Sequence, residues 1–204
     1  MSRDSKMTYS HLISFEGVAY MTELTQTLTE LATHNYSGAP FLGAYGLTWL
    51  VCAFVWRRFN MKTAAFVTLF QGMVALPIAL GVSASLGMFV DRPGTEITTQ
   101  LSILVSLSQL LVLPLLIVFT MKKNFTAVPL FFSLAGAIHF IPYAWLYQTP
   151  LYIVMSTVLA VSLAVLYAMD KDKPKEQLMS RRGAGLVCAV TGMLLFVTGM
   201  IFII

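Results

Sequence analysis

Three side chains in this 204-residue chain are the ones whose types suit chemistry in an apolar setting. His139 lies inside a long uncharged stretch and is the ionisable residue there whose charge changes near neutrality. Gln71 and Gln109 each bring an amide that both donates and accepts hydrogen bonds. The glutamines open similar segments, Gln71-Gly72-Met73-Val74-Ala75-Leu76-Pro77 and Gln109-Leu110-Leu111-Val112-Leu113-Pro114. Proline inside a helix removes a donor, frees a carbonyl and bends the axis, so helix kinks are expected at Pro77, Pro114 and, beside His139, Pro142. Amides and freed carbonyls at one depth can line a polar cavity between helices. They can equally hydrogen-bond across a helix interface, a contact averaging about 0.6 kcal/mol, and both readings stay open.

The segment His139-Phe140-Ile141-Pro142-Tyr143-Ala144-Trp145-Leu146-Tyr147 is the most distinctive in the chain. Its plainer and preferred reading is an interfacial histidine beside an aromatic belt, because Tyr143, Trp145, Tyr147 and Tyr152 have rings suited to the headgroup level. Its functional reading is a ligand or proton contact next to proline-weakened backbone. The candidate ligand-binding set is therefore Gln71, Gln109, His139, Tyr143 and Trp145. No catalytic residue, metal site or cofactor is expected. Gly-x-Ser-x-Gly, His-Glu-x-x-His, Walker and Cys-x-x-Cys patterns are missing, and Asp91 and Glu96 read first as polarity around the Pro93-Gly94 turn. Haem ligation by paired histidines is not supported, since His11 and His34 lie outside the apolar runs.

What must position these residues follows from composition. Hydrophobic residues make up 57% of the chain and charged ones only 11%, where a soluble domain carries roughly a quarter charged. Mean hydropathy is +0.78. A helix needs about 20 apolar residues to cross a bilayer core, and the uncharged intervals place such helices at about 39–56, 63–86, 99–121, 125–146, 151–169 and 183–204. The interval from Asn124 to Met169 is too long for one crossing, and Tyr147-Gln148-Thr149-Pro150 supplies its turn, with Pro150 suited to the start of the next helix. Alternation expected of barrel strands is not seen, so the fold expected is an all-α polytopic bundle of six transmembrane helices.

None of those six spans contains Asp, Glu, Lys or Arg, which argues against proton-coupled transport through buried carboxylates. Small residues at four-residue spacing, Ala160, Ala164 and Ala168, Ala75 and Ala79, and Cys188 and Gly192, read as helix packing, as do Gly43 and Gly46. Cys52 and Cys188 lie in apolar runs and behave as small hydrophobes. The net charge of +4 arises from short basic clusters between apolar runs, a topology signal and not a nucleic-acid footprint. Ten of the thirteen Lys and Arg residues fall in alternate loops, leaving Arg3, Lys6 and Arg92 on the other side. The basic loops are thus expected in the cytoplasm and both termini outside.

Residues 1–36 are expected to form an extramembrane segment ahead of a membrane domain at 37–204. Met21, Leu24, Leu28 and Leu31 repeat at spacings of three, four and three, with Glu23, Gln26, Thr27 and Glu30 opposite. That is an amphipathic helix, and its acidic face favours docking on protein over lipid. Residues before about Thr8 are expected to be disordered. No secretory signal is visible in Met1 to Glu30, so the first span is expected to act as its own insertion signal.

Leu24 to Arg58, with its acidic amphipathic helix leading into Gly43, Gly46 and Trp49, resembles an uncharacterised family of small bacterial multi-pass membrane proteins. Gln71 to Pro77 and His139 to Tyr147 share in the resemblance, which covers about Met21 to the C-terminus. It implies a bacterial inner-membrane protein of undefined function and transfers no catalytic residue. Three functions are open on these grounds: binding or transport of a small neutral or amphipathic solute, a structural or regulatory subunit packed against a protein partner or another copy of itself, and an enzyme acting on lipid headgroups. The first is preferred. Membrane lipids are expected partners in every case.

Overall fold

The computed structural model describes residues 21–94 and 96–204, and among them every regular element is helical. The expectation for the stretch before Thr8 lies outside the described residues. Helix α1 covers residues 21–34. It is followed by α2 (Ala39–Arg58), α3 (Met61–Phe70), α4 (Gly72–Ser85), α5 (Glu96–Ser108), α6 (Leu113–Met121), α7 (Ala127–Leu146), α8 (Leu151–Met169) and α9 (Arg181–Ile201). Helices α3 and α4 run on as one span and α5 and α6 as another. The described chain thus has six helices long and apolar enough to cross a membrane: Tyr36–Arg58, Met61–Ser85, Thr98–Met121, Ala127–Leu146, Leu151–Met169 and Arg181–Ile201. It is a multi-pass membrane protein.

Local chemistry sets the helix ends. Gly38 takes the left-handed conformation (φ +80°) and Pro40 occupies the first turn of α2, where its lost N–H costs nothing. A methyl group on Gly38 would also come within 3.0 Å of the Tyr152 hydroxyl, so the position excludes other residues twice over. Arg57 and Arg58 close α2, their charge matched to the carbonyl end of the helix. Asn60 then caps α3 by accepting from the Thr63 N–H at 2.9 Å, and Ser180 caps α9 by accepting from the Gly183 N–H at 2.9 Å.

The tightest packing joins α2 to α9. A β-carbon on Gly46 would lie 2.7 Å from the backbone nitrogen of Phe196, and one on Gly192 would lie 2.8 Å from the Gly46 carbonyl oxygen. With lipid on the outside there is little hydrophobic gain from pairing helices, so close backbone approach and dispersion must supply it. Gly185, Gly192 and Gly199 recur every seven residues on this face of α9. The side-chain direction of Gly43, in contrast, opens onto empty space, although its backbone nitrogen lies against Gly199. Ala75 and Ala79 are fully buried as expected. The alanine stripe of α8 departs from expectation: Ala164 and Ala168 are exposed, and the helix buries Tyr152, Met155, Ser156, Leu159 and Leu163. The larger side chains fill the groove against α7 and α9, and their face turns the alanines outward.

Helix α1 docks on the bundle, as its acidic polar face suggested. Leu28 and Leu31 are each 1% exposed and join Leu146, with Leu24, Leu101, Tyr143 and Tyr147 around them. The His34 ring is 3.2 Å from the Met88 carbonyl, tying α1 to the chain just beyond α4. At the opposite, basic end, the segment before α9 is knitted to the α6–α7 turn. Gln177 accepts from the Thr126 N–H and donates to the Lys123 carbonyl, while the Met179 N–H donates to Thr126 Oγ1 at 3.0 Å.

The six spans are not equally embedded. Half or more of the first and last are buried, but only 11% of the third. Helix α4 packs along α2, and among the described residues it makes no comparable packing with α5 or α7, whereas α3 packs on both α7 and α6. The second span therefore parts from the third and fourth spans, while keeping the first, at the junction of α3 and α4, which is Gln71.

Candidate functional site

The two glutamines mark where the regular helix is interrupted. Gln71 is the eleventh of 25 residues in its span and Gln109 the twelfth of 24 in its own, so both lie at mid-depth. Gln71 separates α3 from α4, and Gln109 begins a 3-10 turn, Gln109–Val112, between α5 and α6. The cause in the third span is visible. Pro114, in the first turn of α6, cannot donate to Leu110, and the Leu113 N–H bonds the Leu110 carbonyl instead in the tighter pattern. In the second span the Gln71 carbonyl accepts from both Val74 and Ala75. Helix α4 continues through Pro77 and α7 through Pro142, so the interruptions sit ahead of the prolines.

Gln71 is 4% exposed. Its Oε1 accepts from Thr48 Oγ1 at 2.6 Å, and its Nε2 is buried without a partner. Thr48 Oγ1 also lies 2.9 Å from the Tyr45 carbonyl, so this hydroxyl has a second acceptor. The Tyr45 hydroxyl stands 3.7 Å from the place a β-carbon on Gly72 would take. Tyr45 and Tyr143 pack against the same core cluster.

On the fourth span His139 is 8% exposed, with Nδ1 3.2 Å from Ser108 Oγ and its ring edge-on to Tyr143 at 5.3 Å. The Tyr143 hydroxyl is 3.5 Å from Ser106 Oγ. Gln109 is half-buried. Its Nε2 is 3.8 Å from the β-position of Gly136, so the glycine leaves room for the amide. Tyr143, Tyr147 and Tyr152 stack with Phe140 and Phe202 above this level. The Tyr152 hydroxyl donates to the Ser37 carbonyl, closing the cluster under the α1–α2 connection. Burial pushes the Tyr147 phenol above its ordinary range, with Tyr143 adding to the shift.

His139, Tyr143 and Gln109 thus share the interface of the third and fourth spans, while Gln71 belongs to that of the first and second. No hydrogen bond joins Gln71, Gln109 and His139 to one another among the described residues. Trp145 is 48% exposed and stands outside the ring cluster. Asp91, at left-handed φ of 48°, and Glu96, which accepts from Gln100 at 3.1 Å, lie in and after the α4–α5 loop with no hydrogen bond to His139. No group of three His, Cys, Asp or Glu among the described residues is placed to hold a metal ion.

Tyr45, Thr48, Ser106 and Ser108 complete the site and were not singled out from sequence. One signal was available: Thr98, Ser102, Ser106 and Gln109 recur at spacings of four, four and three along an otherwise apolar helix. Ser106 and Gln109 of this stripe meet the fourth span at Tyr143 and Gly136. A family model, DUF7010, described as a family of unknown function, matches residues 24–203. No curated protein and no solved structure matches the chain.

Proposed function

Because the chain belongs to the DUF7010 family, whose function is unknown, we propose a function from its own geometry: it binds a small neutral or amphipathic solute in a vestibule between α2, α4, α5 and α7. The observation that carries this is the Gln71 amide, buried with an unused donor at the point where α4 parts from the fourth span. An unpaired buried polar group costs about 1–3 kcal/mol, a cost a ligand acceptor would remove. Tyr45, Tyr143, Gln109 and His139 supply aromatic faces and a few polar groups, the usual make-up of a small-molecule site. Helix α1 roofs this end of the bundle. Ten basic residues at the far end orient the vestibule to the outside of a bacterial inner membrane. A Lys175→Cys thiol that reacts with an impermeant reagent in intact cells contradicts that orientation.

The test is a thermal-unfolding screen of purified protein against small neutral and amphipathic solutes. A specific solute at a hundred times its Kd stabilises by about 2.7 kcal/mol. That gain should vanish in a Gln71→Met/His139→Phe variant, and a gain unchanged in the variant contradicts the assignment.

One observation favours a second reading. The third span, 11% buried, offers a long face to a protein partner or a second copy, as a structural or regulatory subunit would. A stoichiometric second protein that remains bound through purification and is lost on Leu104→Trp and Leu111→Trp substitution would support that reading over the first.

A further inference from the structure

At the basic end, independent of the vestibule, lies a cavity of about 520 Å³ lined by Trp56, Arg57, Arg181, Arg182, Gly185 and Leu186. It is formed where α2 ends and α9 begins, so its level is that of the span ends, the headgroup region of a bilayer. We propose that this cleft binds a phosphate-bearing anionic group, supplied by the headgroup of an anionic lipid.

Three arginines on one small cleft repel one another, and no carboxylate forms an ion pair with them among the described residues. One of the three is fixed. Arg181 Nε donates to the Trp56 carbonyl at 2.7 Å and its Nη2 to the Arg57 carbonyl at 2.9 Å. The guanidinium thereby caps the C-terminal end of α2 and keeps three of its five N–H donors. The Arg57 and Arg182 side chains are exposed and, among the described residues, make no hydrogen bond to protein. A planar guanidinium held in place with two exposed ones beside it suits the several oxygens of a phosphate ester.

The helix start is partly occupied by the chain itself, since the Asp170 carboxylate accepts from the N-cap Ser180 N–H and Ser180 Oγ accepts from the Gly183 N–H. The anion would instead meet side-chain donors. The remaining wall is apolar and rigid. Trp56 is 1% exposed, with its ring nitrogen donating to Thr68 Oγ1 at 3.0 Å, and a β-carbon on Gly185 would press on the Trp56 side chain at 3.2 Å. Charge above and apolar surface toward the span, through Leu186, match a headgroup joined to an acyl glycerol better than a free ion.

The measurement is lipid retention by native mass spectrometry of protein in neutral detergent, with added phosphatidylglycerol, phosphatidylcholine or inorganic phosphate. Phosphatidylglycerol should be retained over phosphatidylcholine. Arg57→Gln/Arg182→Gln, which leaves the α2 cap intact, should weaken that retention on the order of tenfold or more. Lys122→Gln/Lys123→Gln, which removes two charges of the same end away from the cleft, should not. If inorganic phosphate at millimolar concentration displaces the lipid, the anion site stands and its ligand is a free phosphate. Retention that is unchanged by the arginine pair, or reduced equally by the lysine pair, overturns the proposal.

Discussion

Gly46→Val is expected to destabilise the purified protein by about 3 kcal/mol, the upper part of the range for overpacking a filled interior. The β-carbon would meet the backbone nitrogen, Cα and Cβ of Phe196 at 2.7–2.9 Å. Backbone cannot swing aside as a side-chain tip can. The α2–α9 pair is the most extensive in the bundle, and separating it by even an ångström forfeits much of the dispersion along its length. Gly43→Val, one turn away, points into open space and should change little. Thermal unfolding in a neutral detergent measures both, and equal melting temperatures for the two variants would show that the close approach contributes nothing.

Gln71→Met is expected to act in the opposite direction, raising stability by about 1 kcal/mol by removing a buried donor that has no partner. Thr48 would not be orphaned, because its hydroxyl keeps the Tyr45 carbonyl at 2.9 Å. A methionine of similar length and flexible shape fills the volume without a cavity. Residues retained at a cost in stability are a common mark of function. A loss of 1 kcal/mol or more on unfolding would mean that the amide holds the span together, and the vestibule would lose its main support.

The bundle was legible because charge is so unevenly distributed. Where Arg57, Lys62, Lys122 and Arg181 stand, a span must end, and the cost of burying them is far greater than any local propensity. The docking of α1 followed from the leucine spacing and from Glu23 and Glu30 on its other face. The site was legible only in outline. Gln71, His139 and Tyr143 announce themselves by type, but their partners Thr48, Ser108 and Ser106 are small hydroxyls that sequence cannot separate from residues returning a hydrogen bond to their own helix, as Thr120 does to Leu116. Packing faces failed in the same way. Ala164 and Ala168 share the spacing of Ala75 and Ala79, and only the bulk of neighbours such as Leu159 and Leu163 decides which stripe turns inward. The arginine cleft depends on residues some 125 positions apart, so no local pattern could have joined them.

The proposed vestibule opens the mid-membrane polar groups to the outer solution. Cysteine labelling in intact cells reads this directly, because membrane-impermeant thiol reagents need water to react. Cys52 and Cys188 are buried and provide a silent background. Gln109→Cys, half-buried beside Gly136, should label, while Leu111→Cys, two residues on and 81% exposed on the apolar surface, should not. A Gln109→Cys thiol as unreactive as Leu111→Cys would contradict the vestibule.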